Sequence, residues 1–492
     1  MSGPELMARL AALNACLRHR GPDDQGVWTS ADGRAGLAHV RLSILDLSPA
    51  GHQPMSTPDE KLHIVFNGEI YNFRKLRAEL EADGVVFRTA TDTEVLLHLY
   101  AKDGAAMLGR LRGMFALAIW DEQRQSCFLA RDPLGIKPLY YTQRAGSLAF
   151  ASEMRALRAG GLADGGIDAG ALMRYFQTGS VPEPHTLIKG VQSLEAGHCL
   201  MWEAGQLSKH CYWQLRFQPE EITREAAVAE VREALLDTMR AHFVSDVPVG
   251  IFLSGGIDST LLAALARKVG QEDIATFSIG VDDERLDESS VARRTAAQFG
   301  TRHQELRLDA DTARHQFAAY LRAIDQPSID GFNTFTVSAF AHQCGMKVVL
   351  SGLGGDEMFG GYKSFEQVPR LSALARAARI VPGLAAVSGR QLERRSSSHK
   401  IRRIGSLLQT PGTIRDASLC LRGIFSTHEA RMLAAGYLGC AWQDIPVGAQ
   451  AEVEAADPRD AVSECELRFY MRNQLLKDSD VMSMAHSLEL RV

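Results

Sequence analysis

The amino-acid sequence predicts an α/β protein of two units, a β-rich first half and a parallel-sheet second half. Three observations lead there. Residues from about 37 to 205 read mainly as short β runs separated by Gly, Pro and Asp turns. From about residue 225 onward, apolar strand-like runs alternate with helical periodicity, the pattern of a parallel α/β sheet. Two of those runs end in glycine turns that carry an aspartate, Ser254-Gly255-Gly256-Ile257-Asp258-Ser259 and Ser351-Gly352-Leu353-Gly354-Gly355-Asp356.

The elements follow in chain order. Leu6, Leu10 and Leu13 recur at helical spacing near the start. Strands are expected at 63–66, 114–120, 126–130 and 139–141, with helices at 74–82 and 93–102 between them. Gln218-Pro219-Glu220-Glu221 breaks the β pattern, which puts a boundary at about 206–225 before a helix running to about Phe243. The uninterrupted apolar runs at 247–253, 274–280 and 346–350 read as strands buried on both faces. After the first of them, Leu261, Leu262, Leu265 and Val269 lie at helical spacing and Gly270 suits the end of that helix.

Composition narrows the function classes. The 492 residues are 46% hydrophobic and 23% charged, ordinary for a globular protein of two or three domains. A net charge of −5 gives no electrostatic reason to expect nucleic acid. The basic stretch 390–403 has no interleaved aromatics and reads as a solvated face. The eight cysteines are scattered, with no CxxC pair to suggest zinc or a redox motif, which fits a reducing, cytoplasmic setting. No window reaches the ~18 uninterrupted apolar residues of a membrane helix, so no membrane partner is expected.

The two glycine turns carry the chemistry. A strand that ends in a tight turn and opens a helix aims backbone N–H groups at one point, which suits phosphate or pyrophosphate. The 254–259 turn lacks the lysine of a Walker A loop and the spacing of a dinucleotide fingerprint. Its Asp258 makes sense beside an anion if Mg2+ bridges the two. Asp356 follows a second strand of the same sheet, and ligands of open α/β sheets bind at the carboxyl ends of strands. The plainer reading of Asp356-Glu357 is an acidic first helical turn. In the first half, Arg41 could fork onto a carboxylate, Glu69 or Asp92 could hold an ammonium, and Asn67 with Gly68 could donate to an oxyanion. Taken singly, each serves equally well as a turn or capping residue.

Further pieces tie these together: Arg20-Gly-Pro-Asp23, Arg41-Leu-Ser-Ile44, Asn67-Gly-Glu-Ile-Tyr71, Gly113-Met-Phe-Ala116, Ala130-Arg-Asp-Pro-Leu-Gly-Ile-Lys-Pro-Leu-Tyr140, Phe150-Ala-Ser-Glu153 and Met482-Ser-Met-Ala-His486. With the two glycine turns, in this order and over nearly the whole chain, they resemble the glutamine-dependent asparagine synthetase family. The resemblance implies an αββα N-terminal-nucleophile hydrolase-like glutaminase at 1–215 and an ATP-pyrophosphatase domain at 225–492. It implies that glutamine is hydrolysed in the first and that ammonia passes inside the protein to a carboxylate activated as its AMP ester in the second. Carried over by position, Arg41, Asn67, Gly68, Glu69 and Asp92 would hold glutamine. Leu253, Ile279, Ser351 and Gly352 would contact ATP. Asp258 and Asp356 would bind Mg2+-pyrophosphate, with Ser254, Gly255, Gly256 and Ser259 cradling it. Glutamine, ATP and aspartate or another carboxylate are the implied small-molecule partners, and a homodimer is compatible with the resemblance.

The chain departs from the family pattern in three places. The family's nucleophile is an N-terminal Cys opening a Cys-Gly-Ile strand, with its own α-amine as base. Here Met1-Ser2-Gly3-Pro4 leads directly into the first helix. Ser2 lacks the strand that would present it, and Cys16 reads as a packing thiol. The expectation is that residues are absent upstream and that the chain as given does not hydrolyse glutamine. The chain also stops at Val492, before the family's Pro-Phe-Leu-Asp segment and a later lysine thought to assist synthesis. Finally, Leu353 stands where asparagine synthetases proper carry the Glu implicated in forming aspartyl-AMP. A leucine neither accepts a proton nor binds an ammonium, so the acceptor pocket differs in chemistry. An amide ligase acting on aspartate is therefore weighed against amidation of a uronic acid or a peptide, and against a degenerate, non-catalytic paralogue.

Overall fold

Antiparallel pairing builds the first unit of the computed structural model, which describes residues 3–492 apart from 164, 284, 286, 381, 382 and 449–451. Its strands are β1 (Asp24–Thr29), β2 (Gly36–Arg41), β3 (Met55–Ser56), β4 (Leu62–Ile70), β5 (Gly113–Asp121), β6 (Ser126–Arg131), β7 (Tyr140–Arg144), β8 (Ser147–Ala151), β9 (Gln192–Ser193), β10 (His198–Glu203) and β11 (Gln206–Cys211). Its helices are α1 (Gly3–Leu17), α2 (Phe73–Ala82), α3 (Asp92–Asp103), α4 (Met154–Ala159) and α5 (Ala169–Thr178). Six strands form one sheet in the order β11-β10-β6-β5-β4-β3, while β1-β2 and β8-β7-β9 form two smaller sheets.

The layers follow from which faces are apolar. β6 is buried along its whole length, so it must be covered on both faces. One face takes Leu76 and Leu80 of α2 and Val95, Leu96 and Leu99 of α3, packed on Phe66, Phe115 and Phe128. Each such fully buried leucine is worth roughly 1.5–3 kcal/mol against exposure. The other face packs Val65, Ala118 and Leu129 against Leu37 of β2 and Tyr141 of β7. Beyond these strands, α4 packs Ala156 and Leu157 on Tyr140, with Leu13, Cys16 and Leu17 of α1 alongside. The unit is thus an αββα stack. Cys16 packs within the outer layer, as expected of a structural thiol.

The second unit opens with α6 (Arg224–His242) and continues through β12 (Val249–Phe252), α7 (Ile257–Lys268), β13 (Ala275–Val281), α8 (Ser289–Phe299), β14 (Arg302–Leu308), α9 (Ala310–Ala323), α10 (Phe332–Gln343), β15 (Val348–Leu350) and α11 (Gly355–Phe359) to β16 (Glu489–Arg491). Its five strands run in the order β14-β13-β12-β15-β16, and all four pairings are parallel. Met239 and Leu265 cover one face of the sheet, and Ala341 with Phe340 covers the other. Gly270 sits just past α7 with φ +89°, and its amide closes onto the Arg267 carbonyl, the helix stop expected of it.

The structure differs from expectation in local boundaries. Helix α7 starts at Ile257, ahead of the apolar positions from Leu261 that announce it, because Gly256 supplies its extended N-terminal residue. β1, α4, α5, β14, β16 and a run of helices from Ser364–Ala378 to Lys477–Met484, between α11 and β16, are additional elements. β14 and β16 are edge strands, and β14 opens on a polar run, Arg302-His303-Gln304-Glu305, with no apolar run to announce it.

The two units share core and charge. Ile44, in the loop after β2, is buried among Met239, Ile251 and Val348 of the second unit. Arg20 donates to Glu153 at 3.0 Å and to Asp480 at 2.7 Å, joining its own unit to the helix Lys477–Met484.

Candidate active sites

The two glycine-aspartate loops lie at the carboxyl ends of the two adjacent strands β12 and β15. Gly355 and Gly352 let them touch. A Cβ on Gly355 would meet Asp258 Oδ2 at 2.4 Å, and one on Gly352 would meet the Ser259 amide nitrogen at 2.9 Å. Glycine is therefore the residue that permits this approach. Asp356 lies in the first turn of α11, packed so closely over Gly361 that a Cβ there would overlap its Oδ1. Burial and the neighbouring Asp356 charge push the Asp258 carboxyl upward, a like-charge pairing that a cation relieves. Two facing carboxylates, with oxygens left over from substrate and water, suit octahedral Mg2+. Among the described residues no group of three or more His, Cys, Asp or Glu side chains is placed to hold a metal.

The cradle residues are arranged differently from a row of open donors. The Ser254 amide donates to Ser259 Oγ at 3.1 Å, and the Gly256 amide donates to Ser254 Oγ at 3.1 Å. The Gly255 amide donates to Glu288 Oε2 at 3.0 Å. All three loop amides thus close onto the chain's own oxygens. Glu288, at the start of α8, is a residue that motif reading did not single out. Leu253 is buried against Ala263, Ala292 and Ala296, so it contributes its backbone to the loop and its side chain to the core. Ile279 lies half-buried in β13, and Ser351 donates its amide to the Arg491 carbonyl at 2.9 Å. Leu353 packs in an apolar cluster with Leu134 and Ile136 of the first unit and Met471 and Leu476 of the π-helical segment Glu466–Leu476.

The polar set of the first unit converges on one cavity of about 890 Å³ between its two sheet layers, lined by Arg41, Asn67, Gly68, Glu69 and Asp92. Arg41 is held there by donating to the carbonyls of Leu45 at 3.0 Å, Asp46 at 2.5 Å and Ser48 at 3.1 Å. Its Nε–H and one Nη1–H lie outside these three bonds. Gly68 has φ +148°, and a Cβ on it would lie 2.0 Å from the Met114 carbonyl oxygen. Asp92 opens α3 and accepts the Ile70 amide at 2.9 Å, and burial pushes its carboxyl up to about 6. Burial also drives the Glu69 carboxyl well above its ordinary range, against the pull of Arg491 3.2 Å away. Asn67 Nδ2 and His39 Nδ1 are buried with no hydrogen-bond partner among the described residues, and both residues line this cavity. Buried orphan groups facing one cavity mark a place for a polar ligand.

A thiol also faces the cavity. Cys127 is buried, and burial pushes it up to about 12, the opposite of an activated thiolate. Ser2 lies outside the described residues. Sequence reasoning missed His39, Glu288 and Arg491. Nothing in their local sequence marks them, since each acts on a partner brought close only by folding.

Comparison with known proteins bears on both units. A family model described as a glutamine amidotransferase domain matches residues 3–213, and one described as asparagine synthase matches residues 230–492. Asparagine synthetase [glutamine-hydrolyzing] 1 of Bacillus subtilis strain 168 is 34% identical over 495 residues, covering 98% of this chain and 75% of that protein. A putative asparagine synthetase [glutamine-hydrolyzing] of Mycobacterium tuberculosis H37Rv is 35% identical over 523 residues, covering 100% of this chain and 77% of that protein. Amidase chry2 of Gibberella zeae is 34% identical over 370 residues, covering 71% of this chain and 54% of that protein. With an amidotransferase unit leading into a parallel sheet whose two glycine-aspartate loops meet, this chain belongs to the asparagine synthase family.

Proposed function

We propose that the chain is an ATP-dependent amide ligase with two working units, residues 1–215 for glutamine and residues 225–492 for carboxylate activation. The observation that carries this is the direct contact of the Asp258 and Asp356 loops at the ends of adjacent parallel strands. In this reading Leu253, Ile279, Ser351 and Gly352 contact ATP, and Asp258 with Asp356 hold Mg2+ on its phosphates. The metal would neutralise phosphate charge as the carboxylate oxygen attacks the α-phosphorus of ATP, forming the acyl-AMP and releasing pyrophosphate. The 254–259 loop amides exchange their internal acceptors for pyrophosphate oxygens, and the start of α7 adds its dipole to the same point.

In the first unit, Arg41 faces a ligand carboxylate, and Glu69 with Asp92 faces its ammonium. Asn67 Nδ2 and the Gly68 amide are the donors for an oxyanion. Ammonia released there crosses to the second unit along the apolar cluster of Leu134, Ile136, Leu353 and Met471. That cluster spans both units and excludes the water that would protonate the nucleophile.

Aspartate is the default acceptor, since relatives at 34–35% identity are named asparagine synthetases. A second reading, amidation of a uronic acid or a peptide carboxylate, is favoured by Leu353, whose side chain is apolar and packed in an apolar cluster. Mg2+-dependent ATP–pyrophosphate exchange, without a nitrogen donor and with a panel of L-aspartate, galacturonate and an aspartyl peptide, tests both. Exchange with aspartate alone supports the first reading, and exchange with another carboxylate alone supports the second. Mg-ATP binding without exchange on any carboxylate overturns both and leaves a non-catalytic paralogue. Glutamate release from glutamine reports the first unit separately.

A further inference from the structure

One residue, Arg491, touches both Glu69 of the first-unit cavity and Ser351 of the second glycine-aspartate loop. Arg491, on the edge strand β16, is completely buried. Its Nη1 donates to the carbonyls of His242 at 2.7 Å and Val244 at 2.9 Å, and its Nε donates to Glu489 Oε1 at 2.9 Å. Its Nη2 stands apart. Among the described residues that nitrogen makes no hydrogen bond, and it lies 3.2 Å from Glu69 Oε1, an ion pair without hydrogen-bond geometry. On its main-chain side, Arg491 pairs with Leu350 of β15, and its carbonyl accepts the Ser351 amide at 2.9 Å.

We propose that Arg491 couples the two sites, its guanidinium yielding Glu69 to the ammonium of a bound amino acid while its carbonyl holds the Ser351 amide of the nucleotide loop. This rests on the reading of the cavity as a glutamine pocket. An ammonium placed beside Glu69 competes with the Arg491 guanidinium for that carboxylate, and at low effective dielectric the two cations repel each other. Of the contacts made by the guanidinium, the Glu69 pair is the one not fixed by a hydrogen bond, so it is the one that gives way. Glu489 is the natural alternative partner. It already accepts Arg491 Nε and lies 3.7 Å from Lys137 Nζ, another buried cation of the first unit. A shift of Arg491 toward Glu489 moves a residue whose carbonyl is bonded to Ser351. Occupancy of one pocket thereby biases the geometry of the other, and linkage makes the effect reciprocal. Arg491 is a positioning residue in this scheme.

The test uses the whole chain and equilibrium binding. Titrations of Mg-ATP with and without saturating L-glutamine, and of L-glutamine with and without Mg-ATP, are expected to give the same coupling factor of at least about 5-fold. Arg491→Lys should bind both ligands with the factor reduced below about 2-fold. Because a buried arginine is hard to replace, hydrogen exchange of the unaltered chain supplies an independent readout. Addition of L-glutamine alone should change protection of the Ser351 amide, whereas glutaramate, which lacks the ammonium, should not. If both ligands bind with independent affinities and Ser351 exchange is unmoved, the coupling is overturned and the two-site reading stands. Equal responses to glutamine and glutaramate overturn it as well. Absence of L-glutamine binding removes the pocket assignment together with the coupling.

Discussion

The Gly255 amide donates to Glu288 Oε2 at 3.0 Å, so a carboxylate of the chain itself stands where a phosphate oxygen would be received. Hydrogen bonds to an ionised acceptor are roughly twice as strong as neutral ones. An anionic ligand must therefore displace Glu288 before the loop can close on it. Glu288→Gln is expected to tighten Mg-pyrophosphate binding by about 5-fold, close to 1 kcal/mol. Isothermal titration of both proteins measures it, and weaker binding by the variant would make Glu288 a ligand contact.

Asp258 and Asp356 repel each other across the two loops. Asp258→Asn should raise the melting temperature in chelator-treated buffer, because it removes a charge that burial and Asp356 disfavour. The same variant should lose at least about tenfold in Mg-ATP affinity, as expected on removing one of two metal-bearing carboxylates. Thermal melts with and without Mg2+ separate the two effects: Mg-ATP stabilises the parent and not the variant.

Gly355 admits the Asp258 carboxylate within 2.4 Å of where a Cβ would stand. Gly355→Ala should push the carboxylate away and reduce Mg-ATP binding as much as Asp258→Asn does, with circular dichroism unchanged. A variant that binds normally would show that the loops separate when nucleotide enters.

Gly68 has φ +148° and faces the Met114 carbonyl across β4 and β5. Gly68→Ala should destabilise the first unit by about 3 kcal/mol, the scale of backbone strain combined with overpacking. Denaturant unfolding followed by tryptophan fluorescence reads this directly.

Asp478 supplies a pH test. It is buried, and burial pushes its carboxyl up to about 7. Its folded form keeps a proton that the unfolded chain has released, so stability from this group falls as pH rises from about 4 to about 7 and is level above that. The melting temperature of Asp478→Asn minus that of the parent should therefore increase between pH 5 and pH 8. The full effect is on the order of a few kcal/mol. A difference that stays flat with pH would place the Asp478 titration outside this range.

Much of this was legible along the chain. Apolar runs at 247–253 and 346–350, each followed by a glycine turn and an acid, identify two strands of a parallel sheet. The helices at 74–82 and 93–102 are where the sequence places them, and the structure shows Thr91 capping the second by accepting the Glu94 amide. These features are local, and local propensity and pattern determine them. The strands β14 and β16 were not legible, because an edge strand is defined by the neighbour it pairs with and need not be apolar. What only the tertiary structure decided is which polar groups meet. Arg41, Asn67, Glu69 and Asp92 surround one cavity because sheet pairing and α3 bring them there. Glu288 reaches Gly255, and Arg491 reaches Glu69, across separations of 33 and 422 residues in sequence. Short-range sequence patterns specify the secondary structure and the loops, whereas charges pair according to distances that exist only once the two units have packed together.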